Sequence, residues 1–262
     1  MRKSNPILAI AIIATVVFGA AFAYNAYLHI GYFLDARAAR EDAAVMQNIF
    51  ADQIELINVR PEPVELNEPE DDGPLFISPI IEARELANNN DIVAYIHIEG
   101  TNISNVVLQD DDNLFYLHHD MHRQRNVNGS LFLDFKNSPD FSDRNSIVYG
   151  HNMNNGTMFH NLRYFMNADY FNANRYITVF TETEMLTYQV FAALSTRTTF
   201  DYIQVEFHDD DDFMGLVSEL KRLSVHSSDI TVNADDRIII LSTCTNTADD
   251  MRFVVAGVLL TE

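Results

Sequence analysis

An internal disulfide needs two cysteines, and this chain of 262 residues has one, Cys244. The fold must therefore be held by its core alone. The cysteine and the nine histidines also form no cluster with the spacing of a structural zinc site. Cations are scarce: 17 Lys and Arg stand against 38 Asp and Glu, for a formal net charge of -21. Nucleic-acid binding draws on clustered Lys and Arg, so that class of partner is excluded, and the charge reads as a soluble acidic surface. Apolar residues are not scarce. At 47% they are ordinary for a folded protein, and the length suffices for one good-sized domain with appendages.

The first appendage is N-terminal. Arg2 and Lys3 precede residues 7–24, a stretch without a single charge, which Ala26-Tyr27-Leu28 extends. That is long enough to cross a bilayer, and basic residues before the span put the N-terminus in the cytoplasm. The competing reading is a cleaved signal peptide, since Ala21-Phe22-Ala23 resembles a cleavage site. The apolar run exceeds a usual signal core, which favours an uncleaved anchor; either way the bulk of the protein lies outside the cytoplasm. The expected division is a cytoplasmic tail (1–6), a membrane anchor (7–28), a helical stalk with an acidic proline-rich linker (29–74) and an extracytoplasmic domain (75–262). The linker carries Pro61, Pro63, Pro69 and Pro74 among Glu and Asp, which stiffen and extend it.

From residue 91 the pattern changes to short apolar runs broken by turns. Residues 92–98, 106–109, 130–135, 146–149, 176–181, 186–196, 237–243 and 253–260 read as strands. Residues 78–88, 157–166 and 212–225 read as helices, the first with Ser78 as N-cap and Pro79 at its first position. Many strands with few helices point to a mainly β domain, a closed or nearly closed barrel with peripheral helices. The acidic runs at 110–112 and 209–212 do not fit a calcium loop and read as solvated loops.

Three side chains could share chemistry. Cys244 ends the strand at 237–243, and Arg252 begins the one at 253–260. If these strands pair as neighbours, thiol and guanidinium meet at one sheet edge, where a cation favours thiolate. His151 ends another strand beside Gly150, which suits a residue facing a cleft. Thiolate, imidazole and a fixed cation supply a nucleophile, a proton carrier and an oxyanion partner. Taken singly, each residue has a plainer reading: a buried thiol, a turn histidine, a surface ion-pair partner. Alternation along the strand places Ser242 on the face of residue 244 and Thr243 on the other. His118, His119 and His122 cluster beside Asp120, a weak pattern for a metal.

The motifs themselves add more. Tyr149-Gly150-His151-Asn152-Met153 with Gly156-Thr157-Met158-Phe159 resembles the histidine motif of class B sortases. Leu241-Ser242-Thr243-Cys244 resembles their cysteine signature, and Arg252-Phe253-Val254 their arginine strand. Thr101-Asn102-Ile103, Tyr116-Leu117-His118-His119 and Gly129-Ser130-Leu131-Phe132-Leu133-Asp134 follow the family in order, over roughly residues 90–262. The chain departs from it at Ala94-Tyr95, where Gly-Trp is usual, at Asn105-Val106-Val107 for Tyr-Pro-Val, and at Ile240 for the first threonine of the signature. None of these touches the thiol, the imidazole or the guanidinium; they bear on substrate preference.

The resemblance implies a sortase-like closed β-barrel and a membrane-anchored cysteine transpeptidase that needs no metal or organic cofactor. Cys244, His151 and Arg252 would be catalytic, with Ser242 and Thr243 as substrate-binding candidates. The partners it implies are secreted proteins with a C-terminal sorting signal and an amino group of peptidoglycan. The alternatives are a pilin-polymerising enzyme with a lysine acceptor, hydrolysis of the thioester by water, and an inactive membrane-tethered binding domain.

Overall fold

A computed structural model describes residues 6–58, 78–244 and 251–260. The expected linker at 60–74, residues 245–250 and most of the N-terminal tail lie outside these residues. Eight strands form a closed barrel in the order β1-β2-β3-β4-β7-β8-β6-β5. They are β1 Ile92–His97, β2 Ser104–Leu108, β3 Leu131–Leu133, β4 Asn145–His151, β5 Tyr176–Phe180, β6 Met185–Arg197, β7 Ile238–Cys244 and β8 Met251–Leu259. Each expected strand is present, its ends shifted by a few residues. Pairing is antiparallel except between β2 and β3 and between β4 and β7.

Both faces of the barrel wall are covered, which is why the strands read as short continuous apolar runs. One apolar layer joins Tyr95, Phe132, Ile240 and Val254 to Ile80 and Phe213 from the helices and to Phe50. The other joins Ile96, Val148, Leu241 and Val255 to Phe159, Leu162 and Phe171.

The N-terminal helix is longer than expected. The stretch expected as an anchor and the start of the expected stalk form one helix of 44 residues, α1 Pro6–Ile49, followed by α2 Ala51–Asn58. No proline interrupts it after its first residue, so nothing in the sequence breaks it. Its large apolar side chains from Ile10 to Leu34 are exposed apart from the half-buried Tyr32, whereas Ala36, Ala39 and Met46 are buried. Just beyond α1, Phe50 stacks on Tyr95 with ring centroids 4.0 Å apart. The stalk is thus a helix docked on the barrel.

The lead-in helix α3 (Ile80–Ala87) starts one residue later than expected. Pro79 takes the cap position, while the Ser78 hydroxyl accepts from the Ile80 N–H at 3.3 Å and donates to the Thr181 carbonyl. Residues 159–166 form a 3-10 helix, and α4 (Ala168–Ala173), absent from the sequence reading, is capped by the Asn167 side chain. The acidic run at 209–212 is not a loop. Asp209 caps α5 (Asp210–Leu223), and the other three acids form its first turn, where negative charge meets the positive end of the helix.

Gly150 shows why β4 closes as it does. A Cβ there would lie 2.4 Å from Leu131 Cδ2 and 2.9 Å from Phe159 Cδ2, both in buried side chains. Gly150→Ala is expected to cost about 1–3 kcal/mol through overpacking, read as a lowered midpoint in chemical denaturation.

Candidate active site

The three candidate residues come from three neighbouring strands. In the parallel pair β4–β7, His151 stands directly opposite Cys244. In the antiparallel pair β7–β8, Ser242 faces Val254, so β8 begins at the end of the barrel where β7 finishes. The expectation that thiol and guanidinium strands share an edge holds. The structure adds that the histidine strand is the other neighbour of β7, a parallel pairing that no local sequence signal announces.

His151 is 3% exposed, and its Nε2 lies 2.7 Å from the Leu117 carbonyl oxygen. A carbonyl only accepts, so Nε2 carries a proton and donates it. With its proton on Nε2, the neutral ring has Nδ1 as its basic nitrogen. Leu117 opens the loop that runs to β3, and this loop turns tightly. The Asn126 N–H donates to the His118 carbonyl, and the Ser130 N–H to the Tyr116 carbonyl. Gly129, with φ +57°, brings its backbone so close that a Cβ would fall 2.6 Å from the Leu117 oxygen. Only glycine fits there without displacing the acceptor that orients His151.

A cleft of about 330 Å³ opens at this end of the barrel, lined among others by Leu117, Tyr149, Tyr202, Ser242 and Arg252. Ser242 lies in its floor, 1% exposed, its hydroxyl 2.8 Å from the Tyr202 hydroxyl. Thr243 is fully buried and does not line the cleft. Its Oγ1 accepts from the Phe253 N–H at 3.0 Å, which ties the start of β8 to β7 beside Arg252. Arg252 is partly exposed at the cleft wall.

Leu117 and Tyr202 were not singled out by the sequence. Tyr202 sits in the irregular stretch between β6 and α5, where no periodicity marks a wall residue. Asn145 of β4 fixes that stretch by donating to the carbonyls of Tyr202 and Gln204. Tyr149, within the histidine motif, donates to Asp134 at 2.8 Å, and Asn113 donates to the same carboxylate.

The clustered histidines part company. His119 stacks on Phe115 at 4.0 Å, and His122 pairs with Asp42 of α1 at 3.4 Å. His118 is exposed, with its ring 6.4 Å from that of His151. Among the described residues, no three such side chains converge on a point that could hold a metal.

Three imidazoles are held below the ordinary 6.5, in each case first by loss of hydration: the buried His160, the half-buried His97 and, to a lesser degree of enclosure, the exposed His118. His118 is lowered further by His151, Arg125 and His119, and His160 by Arg163. Each binds fewer protons folded than unfolded, so its contribution is intact above the unfolded value and is lost as pH falls below it. Asp42, raised by burial, acts in the opposite sense at lower pH. The melting temperature is expected to fall between about pH 7 and pH 5. His160→Gln should flatten that fall.

Known proteins place this arrangement. The family model for the sortase domain matches residues 96–260. Sortase B of Listeria monocytogenes is 39% identical over 186 residues, covering 69% of this chain and 75% of that protein. Sortase B of Staphylococcus aureus is 36% identical over 156 residues, covering 60% and 64%. Among solved structures, a Staphylococcus aureus sortase B–substrate complex superposes with a TM-score of 0.74 at 27% identity, over 87% of this chain and 99% of that one. The Listeria monocytogenes sortase B structure gives a TM-score of 0.62 at 36% identity, over 68% and 99%. With the barrel, the domain match over most of its length and these relatives in agreement, the chain belongs to the sortase family, in its class B, the cysteine transpeptidases of the cell wall.

Proposed function

We propose that this protein is a membrane-anchored transpeptidase in which Cys244, His151 and Arg252 act together on the sorting signal of secreted proteins. The observation that supports the reading is the register of β4 and β7, which sets His151 opposite Cys244 at the end of the barrel where the cleft lined by Leu117, Ser242 and Arg252 opens. The Cys244 thiolate adds to the carbonyl carbon of a Thr–Gly-type bond, and Arg252 stabilises the oxyanion. The C–N bond then breaks, and the departing amine takes a proton from the His151 imidazolium, leaving a thioester. An amino group of peptidoglycan adds to that thioester and gives its proton to His151; the C–S bond breaks and the thiolate returns. Ser242 and Tyr202 form the floor on which the peptide lies, and Thr243 serves by holding β8 in place.

The character of α1 supports the anchoring. Its most apolar window has a mean hydropathy of 1.7 and none of it is buried, so it is long and apolar enough to cross a membrane. With Arg2 and Lys3 ahead of it, the N-terminus lies in the cytoplasm and the barrel outside.

The test incubates the full chain in detergent micelles with a library of sorting-signal peptides and a set of amines, followed by mass spectrometry. A thioester on Cys244 that converts to an amine-ligated product establishes the reaction and names both substrates. A folded protein with an alkylatable thiol and no adduct from any peptide would sink the reading and favour a binding domain. An adduct that only hydrolyses would replace transpeptidation by proteolysis.

A further inference from the structure

The two loops that fix His151 are both held by α1. One loop runs from Leu117, whose carbonyl accepts from His151, to β3. The other leaves β4 at His151 itself and turns back through residues 152–158, with Asn152 bridged to Met158. The Asp35 carboxylate accepts from the Val127 N–H at 3.0 Å in the first loop. Arg40 Nη2, just over one helical turn further along α1, donates to the Asn155 carbonyl at 2.7 Å in the second. The loops are then joined to each other. Asn155 Nδ2 donates to Asn128 Oδ1 at 2.7 Å, and the Thr157 hydroxyl lies within reach of both asparagine oxygens. Asn128 is fully buried and Asn155 and Thr157 are half-buried, so the junction reaches inward from the exposed contacts that Asp35 and Arg40 make.

We propose that Asp35 and Arg40 are positioning residues for His151. They act through Val127, Asn155 and Asn128, so that the juxtamembrane part of α1 sets the imidazole against Leu117. This rests on the transpeptidase reading for its catalytic consequence, but not for its geometry. Without the clamp, both loops keep their own turns and lose their common reference. The ring of His151 then samples orientations in which Nδ1 is misaligned, and small misplacements of a proton carrier cost rate rather than affinity.

The experiment compares the full chain with Arg40→Ala, Arg40→Lys and the double variant D35A/R40A in micelles. Ligation kinetics, melting temperature and the His151 titration by NMR are read on each. In the double variant kcat is expected to fall about tenfold or more with KM within twofold. The His151 titration should move and the melting temperature stay within a few degrees. Arg40→Lys, whose ammonium can still donate to the Asn155 carbonyl, should recover most of the rate lost in Arg40→Ala. Unchanged kcat and an unchanged His151 titration in the double variant would overturn the proposal. So would a loss of rate that follows the melting temperature and is not rescued by lysine. A moved titration in a protein that ligates no peptide at all would support the clamp while sinking the transpeptidase reading.

Discussion

Cys244→Ala is expected to abolish both cleavage and ligation, a loss on the order of 10⁶-fold in kcat, which is the scale for removing a covalent nucleophile. No neighbouring group on the strand can stand in. Ser242 is buried with its hydroxyl against Tyr202, and Thr243 Oγ1 accepts from the backbone of β8. An alcohol is in any case far less ionised than a thiol near neutral pH. The barrel should survive, since residue 244 is the last of β7 and the buried run from Ile238 to Thr243 is untouched. Mass spectrometry of the variant with peptide and amine should show neither adduct nor product, at an unchanged melting temperature. Ligation at even a hundredth of the wild-type rate would place the nucleophile elsewhere.

The second large effect belongs to Arg252. In a chain of net charge -21, a guanidinium at the cleft wall is the kind of fixed cation that a developing oxyanion requires. Arg252→Ala is expected to lower kcat about 10²–10³-fold, the range for losing one oxyanion partner. Folding should not suffer. The side chain is partly exposed, and the backbone of β8 is held by its ladders to β6 and β7 and by Thr243. Arg252→Lys keeps the charge but loses the forked donor geometry, so it should recover only part of the rate. Full turnover in a well-folded Arg252→Ala protein would remove the arginine from the mechanism.

Much of this fold was legible because strands buried on both faces leave an unmistakable trace. Runs such as Ile238 to Leu241 admit few other readings once helices are excluded by length. Helix ends were harder. The six-residue α4 buries only Phe171 and so leaves no periodic stripe to read. The acids of α5 look like any solvated run until Asp209 is seen to cap the turn they form. For the proposed site the sequence names three chemical groups and gives no sign of their support. Leu117, Tyr202 and Asn155 act through a backbone carbonyl, a hydroxyl across the barrel mouth and another carbonyl. Such roles depend on where the chain returns in space, and composition carries no mark of them. The parallel β4–β7 register is of the same kind: it joins strands that are distant in sequence.

The unbroken α1 has one further consequence. A tether with a flexible joint lets an enzyme sweep a volume above its membrane; a single stiff rod does not. On the proposed anchoring, with residues 7–28 in the bilayer, Asp35 would stand about 10 Å beyond the last of them along the helix, at about 1.5 Å per residue. Asp35 and Arg40 in turn grip the loops on either side of His151. The opening would then ride at a fixed altitude close to the lipid surface and scan in two dimensions. Altitude would act as a selection rule: a peptide bond would be processed only if its own attachment presented it at that level, whatever its sequence.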